Sequence, residues 1–294
     1  MFYRRKIILA LLQLFERPID KISMQKLLFL FTRRQTKSEY DFIPYIYGCY
    51  SYSAIADLAV MVNKGLLSET SSGFTSNDKT DYLGTLKETD RKLLQEIKSH
   101  YGNMDANALM KHTYLNFPYW AINSKKAKEI LSAEEFEKVT DSKPQSDQTI
   151  LFTIGYEGIS LEEYLNRLLK NDVKVLVDVR NNPVSMKYGF SKNQIQRFCE
   201  NLGIRYVHFP EVGIQSEQRR ELNTQADYDQ LFTVYRQNNL TQTRASQVKI
   251  ANLLKEHKRI ALTCFEANIR QCHRKHLAEA IESLLNYEYE VKHI

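Results

Sequence analysis

Between residues 149 and 294, short apolar β-branched runs alternate with amphipathic stretches, and that alternation leaves few folds open. Strands are expected over 149–154, 173–179, 204–209, 259–263 and 287–293. Helices are expected over 161–169, 193–202, 228–235, 247–257 and 273–285. Strands that are apolar along their whole length, each followed by a helix, predict an α/β domain: a Rossmann-like, doubly wound, mostly parallel sheet covered on both faces.

In such a sheet ligands bind outside the carboxyl ends of the strands. Those ends carry Tyr156 and Glu157, Asp178 and Arg180, His208 and Glu211, and Cys264 and Glu266. Polar residues therefore recur where each strand stops. The densest stretch, 262–277, reads LTCFEANIRQCHRKHL and adds Cys272, His273, Arg274 and His276. Lys187, Tyr188 and Phe190, and further on Arg219 and Arg220, fall in loops on the same side, where they are expected to close over a ligand or meet a phosphate backbone.

The first half of the chain has a different texture. Ile7, Ile8, Leu11, Leu12 and Phe15 form one helical stripe, Ser23 opens a second helix, and Ser51 caps a third that runs to about Asn63. An aromatic loop, 42–48, lies between the second and third helices, and a polar hairpin with its tip at 70–78 follows. This order predicts a mainly helical winged-helix domain over 1–142. The run Tyr114 to Trp120 is read as a hydrophobic plug in preference to a base-stacking surface. The polar segment 143–148 is the expected linker, leaving 149–294 as the α/β domain.

A length of 294 residues suits two domains. Four cysteines spread over it are not a disulfide framework, and no apolar run reaches the ~18 residues that would suggest a membrane span. A cytoplasmic protein without a membrane partner is expected, and its oligomeric state is left open. The net charge of +6 permits nucleic-acid contact without requiring it. Arg4, Arg5 and Lys6, with Arg33, Arg34 and Lys37, are the clusters a winged helix would turn to phosphates, and DNA is the expected partner.

Cys264-x-Glu266 with Cys272-His273-Arg274 resembles the signature of the family known as domain of unknown function 488. In the same order the chain carries Thr153-Ile154-Gly155-Tyr156, Asp178-Val179-Arg180 with Pro183, Phe190-Ser191-Lys192, and Tyr206 to Glu211 with Gly213. This resemblance covers roughly residues 149–294 and implies the α/β fold, but no reaction. Gln25 to Leu30, Tyr45-x-Tyr47-Gly48-x-Tyr50-Ser51 and Lys64-Gly65-Leu66 resemble the winged-helix modules of YwgA-like and Panacea-type proteins. Cys49 stands where those modules usually carry proline.

Three chemistries compete for the second domain. In the first, Glu157, Asp178 and Glu266 serve as acids and bases, against the plainer alternatives that Asp178 caps the following loop or pairs with Arg180 and that His208 bonds a backbone carbonyl. Arg180, His273 and Arg274 orient a substrate on which Tyr156, Tyr188 and Phe190 stack. That set suits glycosylase-like hydrolysis, removing or processing a modified nucleobase in defence or repair, with no cofactor or metal. In the second, Cys264 is a nucleophile: its spacing to Arg270 is that of phosphatase loops, and Asp178-Val179-Arg180 is similar to a rhodanese pattern, but the glycines of a phosphate cradle are missing. In the third, Cys264, Cys272, His273 and His276 hold zinc. A non-catalytic nucleotide sensor that regulates DNA binding is the remaining alternative.

Overall fold

The structure, a computed structural model, describes residues 1–219, 222–284 and 289–294. Chain contacts divide it into two compact units, Met1–Lys143 and Pro144–Ile294.

The first unit opens with helix Tyr3–Phe15, which ends where Glu16 turns left-handed ahead of Pro18. The second helix, Lys21–Thr32, starts before Ser23. Its cap is Asp20, whose carboxylate accepts from Ile22 N and Ser23 N at 3.0 Å each, satisfying amides that a helix start leaves bare. The aromatic loop is a hairpin of β1 (Ile43–Tyr45) and β2 (Gly48–Tyr50). Ser51 caps helix Tyr52–Asn63, and the polar hairpin pairs β3 (Leu67–Thr70) with β4 (Gly73–Ser76). Ile19 bridges to Phe74, giving that hairpin a third strand position. Helices Glu88–Tyr101, Ala106–Asn116 and Ala133–Asp141 complete the unit. Phe117 and Trp120 pack edge-on against buried Phe29, at 5.1 and 5.2 Å between ring centres, so this part of the aromatic run plugs the core.

Several of the candidate phosphate contacts in this unit are engaged internally. Arg4 and Arg5 both pair with buried Asp57, at 2.5 and 2.7 Å. Arg34 pairs with Glu96, and Arg33 lies over the Phe117 ring. Lys37 and Arg34 share the wall of a depression of about 440 Å³ with Lys87 and Lys92, and also with Glu39, Asp90 and Glu96. Lys6 is half-buried.

The second unit is a five-stranded, wholly parallel sheet of β5 (Ile150–Gly155), β6 (Val175–Asp178), β7 (Arg205–His208), β8 (Arg259–Cys264) and β9 (Glu290–His293), in the order β7-β6-β8-β5-β9. β5, β6 and β8 are buried at every residue, which is why they read as unbroken apolar runs. Helices Leu161–Lys170 and Lys192–Glu200 follow β5 and β6. Tyr164 on the first of them donates to Thr263 of β8 at 2.7 Å, which fixes it against one face. Val175, Val177, Ile260, Leu262 and Cys264 pack instead with Ile250 and Leu254 of helix Arg244–His257 and Leu277 and Ile281 of helix Arg274–Glu282. Helix Gln225–Val234 runs on through a π-helical turn, Tyr235–Asn239.

The chain leaves β5 and β6 toward β7, and leaves β8 in the opposite direction toward β9. The connection reverses at β8. In open α/β sheets that reversal is what opens a crevice at the carboxyl ends, and the residues after β8 lie there.

Candidate functional site

The loop after β8 lies over the end of β5. Tyr156 N and Glu157 N both donate to Phe265 O, at 3.1 and 2.9 Å, and Glu157 Oε2 accepts from Ala267 N at 2.9 Å. Arg274, almost fully buried, donates to Glu266 O at 2.6 Å and reaches Ala267 O at 3.4 Å. Glu157 and Arg274, expected to act on substrate, are thus fasteners of this loop.

Glycine at 155 is what lets the loop come so close. A Cβ at that position would stand 2.0 Å from Glu266 O and 2.7 Å from Glu266 C, both backbone atoms that have no rotamer to escape into. Gly155→Ala is expected to lift the loop at a cost of about 1–3 kcal/mol. Thermal unfolding checks the cost, and faster alkylation of Cys264 by iodoacetamide reports the lifted loop. An unchanged midpoint with unchanged alkylation would contradict the account.

Beneath this loop five polar side chains converge. Cys264 Sγ lies 3.0 Å from Glu266 Oε2, 3.8 Å from His273 Nδ1 and 3.9 Å from Arg219 Nη2. Arg219 Nη1 pairs with Glu266 Oε1 at 2.8 Å, and its Nη2 lies 3.3 Å from His273 Nδ1. Cys272 completes the group: its sulfur, the Cys264 sulfur and a His273 ring nitrogen all lie within 4.8 Å of one another. Cys264, Cys272 and His273 are each at most 1% exposed.

The protonation pattern of His273 follows from its partners. Nε2 lies 3.0 Å from Val179 O, an acceptor, so Nε2 carries a hydrogen, and Nδ1 is the ring atom turned to Cys264 and Arg219, with a lone pair to offer whenever it is unprotonated. Tyr235 supports the ring edge-on, at 5.5 Å between centres, while its own hydroxyl donates to Val212 O at 2.7 Å. Burial alone would push the Cys264 thiol up. Cys272, His273 and Arg219 outweigh it and hold Cys264 well below the ordinary cysteine range. Burial and the neighbouring Cys264 push Cys272 well above that range. Burial, then the charge of Cys264, raises the Glu266 carboxyl against the opposing pull of Arg219.

Other residues placed on the rim by sequence have different duties. Asp178, wholly buried, takes Arg180 through Nε at 2.8 Å and Nη2 at 2.5 Å and accepts from Tyr206 OH at 2.7 Å. Arg180 further donates to Tyr156 OH at 2.9 Å and Phe190 O at 2.8 Å. Asp178 is therefore a poor acid or base, since its lone pairs are already committed. Tyr156 and Phe190 stack on one another, 4.3 Å apart and 10° from parallel, and both are buried; Tyr156 still lines the cavity described below, while Phe190 is not among its lining residues.

His208 Nε2 lies 2.8 Å from Arg180 O, and exposed Glu211 accepts from buried Ser246. Lys187 Nζ is tied to Tyr156 O at 2.6 Å, and Tyr188 is half-exposed beside Phe198. His276 turns to Glu279 and Arg236, 3.2 Å from each, and leaves the cysteine cluster. Arg270 is exposed, so the phosphatase-like spacing does not bring its charge to Cys264; Arg219 supplies that charge. Arg220 lies outside the described residues.

Sharing Arg219 with the cluster is a cavity of about 310 Å³ lined by Tyr156, Arg180, Asn181, Asn182, Met186 and Phe265, among others, whereas Glu266 and His273 line a separate crevice of only about 10 Å³, also with Arg219. Val184 and Met186 stand largely exposed at the lip of the larger cavity. Arg219, assigned by sequence to nucleic acid, belongs both to this cavity and to the thiol cluster. The two asparagines, Phe265 and Tyr206 escaped the sequence reading. Tyr206 sits in the Tyr206-Val207-His208 motif and Phe265 between Cys264 and Glu266, so the signal was adjacency to residues already singled out.

Residues 160–281 match the family model described as Domain of unknown function DUF488. No curated protein and no solved structure matches the chain. Among the described residues no helix is long and apolar enough to cross a membrane.

Proposed function

We propose, on the premise that the C-terminal domain belongs to the DUF488 family, that this protein is a hydrolase acting on a modified nucleobase of DNA. The observation that carries the reading is Glu266: a largely buried carboxylate 3.0 Å from the Cys264 sulfur, paired to Arg219, where Arg219 also lines the cavity. A carboxylate in that position accepts the proton of an attacking water and returns it to the leaving nitrogen. Asn182 offers a donor and acceptor pair that reads a base edge, Asn181 adds its amide oxygen while its Nδ2 donates to Pro210 O at 3.1 Å, and Phe265 offers an exposed aromatic surface.

Support for DNA comes from the first unit. Its order of three helices and a hairpin, with Ile19 bridged to Phe74, is consistent with a winged helix, and Lys37, Lys87 and Lys92 lie along one depression that also holds Glu39, Asp90 and Glu96. Tethering such a module to a base-processing domain suits defence against foreign DNA or repair, in the cytoplasm.

The test is mass spectrometry of small molecules released from unmodified and modified DNA, and of nucleosides digested from the same DNA afterwards. A free base, or a nucleoside of changed mass, produced by wild type and not by Glu266→Gln supports the reading. Neither product on any DNA removes it. One observation favours a second reading, a cysteine-dependent enzyme: the His273 Nδ1 lone pair faces the Cys264 sulfur at 3.8 Å. Glu266 beside that sulfur argues against an anionic substrate there, which sets phosphate esters aside.

A further inference from the structure

We infer that Cys264, Cys272 and His273 together bind one divalent ion of the zinc class, with its fourth coordination position beside Glu266. Three donors of the right kind meet here: two sulfurs and an imidazole nitrogen, within 4.8 Å of one another and buried. In tetrahedral zinc coordination, sulfur and nitrogen ligands stand about 3.6 Å apart. Cys264 Sγ and His273 Nδ1 are separated by 3.8 Å, so a small shift seats the ion.

The ring of His273 is already set for ligation. Nε2 is committed to Val179 O, which is the outer hydrogen bond that metal-binding histidines habitually make, and it leaves Nδ1 free to give its lone pair. Tyr235 braces the ring from the side. Two sulfurs with one imidazole select zinc over magnesium or calcium, which prefer oxygen.

A positive charge stands at this place already. The Arg219 guanidinium lies 3.3 Å from His273 Nδ1, 3.9 Å from Cys264 Sγ and 2.8 Å from Glu266 Oε1, reaching most of the groups an ion would touch. An ion and Arg219 exclude one another, so loading requires Arg219 to swing toward the cavity it also lines. The ion then leaves one position for water, with Glu266 next to it to take the proton, as catalytic zinc sites with three protein ligands do.

The ion's part in turnover rests on the hydrolase reading; its binding does not, and the experiment reads binding alone. Full-length protein, reduced and metal-free, is titrated with Zn²⁺ against a chromophoric chelator. In parallel it is titrated with Co²⁺ and followed by absorption.

One equivalent is expected, with a cobalt–thiolate charge-transfer band that Cys272→Ser and His273→Ala each abolish. Arg219→Gln is expected to tighten binding at least tenfold, because the competing cation is gone. In wild type, Zn²⁺ is expected to protect Cys264 and Cys272 from iodoacetamide, read by mass spectrometry without recourse to any variant. Absence of the thiolate band, a band that survives Cys272→Ser, or equal alkylation with and without Zn²⁺ overturns the inference. A bound ion on a protein that alters no DNA would instead sink the hydrolase reading and leave this one standing.

Discussion

Replacing Arg180 with alanine is expected to lower the thermal midpoint of the C-terminal domain by about 10 °C. The reason is what the substitution strands. Asp178 has no exposure at all, and with Arg180 gone its carboxylate keeps only the Tyr206 hydroxyl and the amide of residue 180. Tyr156 OH and Phe190 O lose their donor at the same time. Removing one partner of a buried ion pair costs about 3–5 kcal/mol because the other charge stays in a low-dielectric interior.

Asp178→Asn is expected to cost a comparable amount, since it strands the buried Arg180 charge and leaves it one amide oxygen in place of two carboxylate oxygens. The double variant Asp178→Asn/Arg180→Ala should fall well short of the sum of the two. Additive losses in a thermal or urea unfolding cycle would show that the pair is not the unit described here.

The second large effect is catalytic. Glu266→Gln is expected to reduce base release or base conversion by about 10²–10⁴-fold, the range a single positioned acid or base contributes. The amide keeps the size of the side chain and an oxygen for Arg219, so the midpoint of unfolding should hardly move. Loss of activity without loss of stability separates this position from Arg180. A variant retaining more than about a tenth of the wild-type rate would take Glu266 out of the chemistry.

The sequence displayed the sheet clearly because burial on both faces makes β5, β6 and β8 continuous apolar runs that no other environment produces as readily. It also located the strand ends, and with them Cys264, Glu266 and His273. It could not apportion the polar residues at those ends. Asp178 and Arg180 are two residues apart, close enough for a pair to be one reading of the sequence, but the fold at the end of β6 is what selects that pair over a role on substrate.

Arg219 was hidden for another reason. It comes 45 residues before Cys264, in a loop with no period to read, and nothing local ties it to the thiols. The start of the second helix was misplaced because Asp20 and Ser23 are both good caps, and Asp20 takes the role while Ser23 donates to its carboxylate at 2.5 Å. Tyr156 and Phe190 looked like a stacking platform for a ligand because each is an aromatic residue near a strand end. Their mutual stacking depends on a loop path that sequence does not reveal.

The π-helical turn Tyr235–Asn239 has a consequence for how the length of this chain can vary. Each residue of an α-helix advances the direction of its side chains by about 100°. Deleting one residue from the turn would restore α-helical phase, and would rotate Tyr235 and Phe232 by that angle relative to Leu240 downstream. The tyrosine would then leave both His273 and Val212 O, and the donor ring beside Cys264 would lose its brace. Insertions and deletions in the surface loop that carries Val184 and Met186 face no such phase requirement. Length is free to drift at the lip of the cavity and is held to a single residue count 50 positions later, far from the lip in sequence but directly behind the histidine.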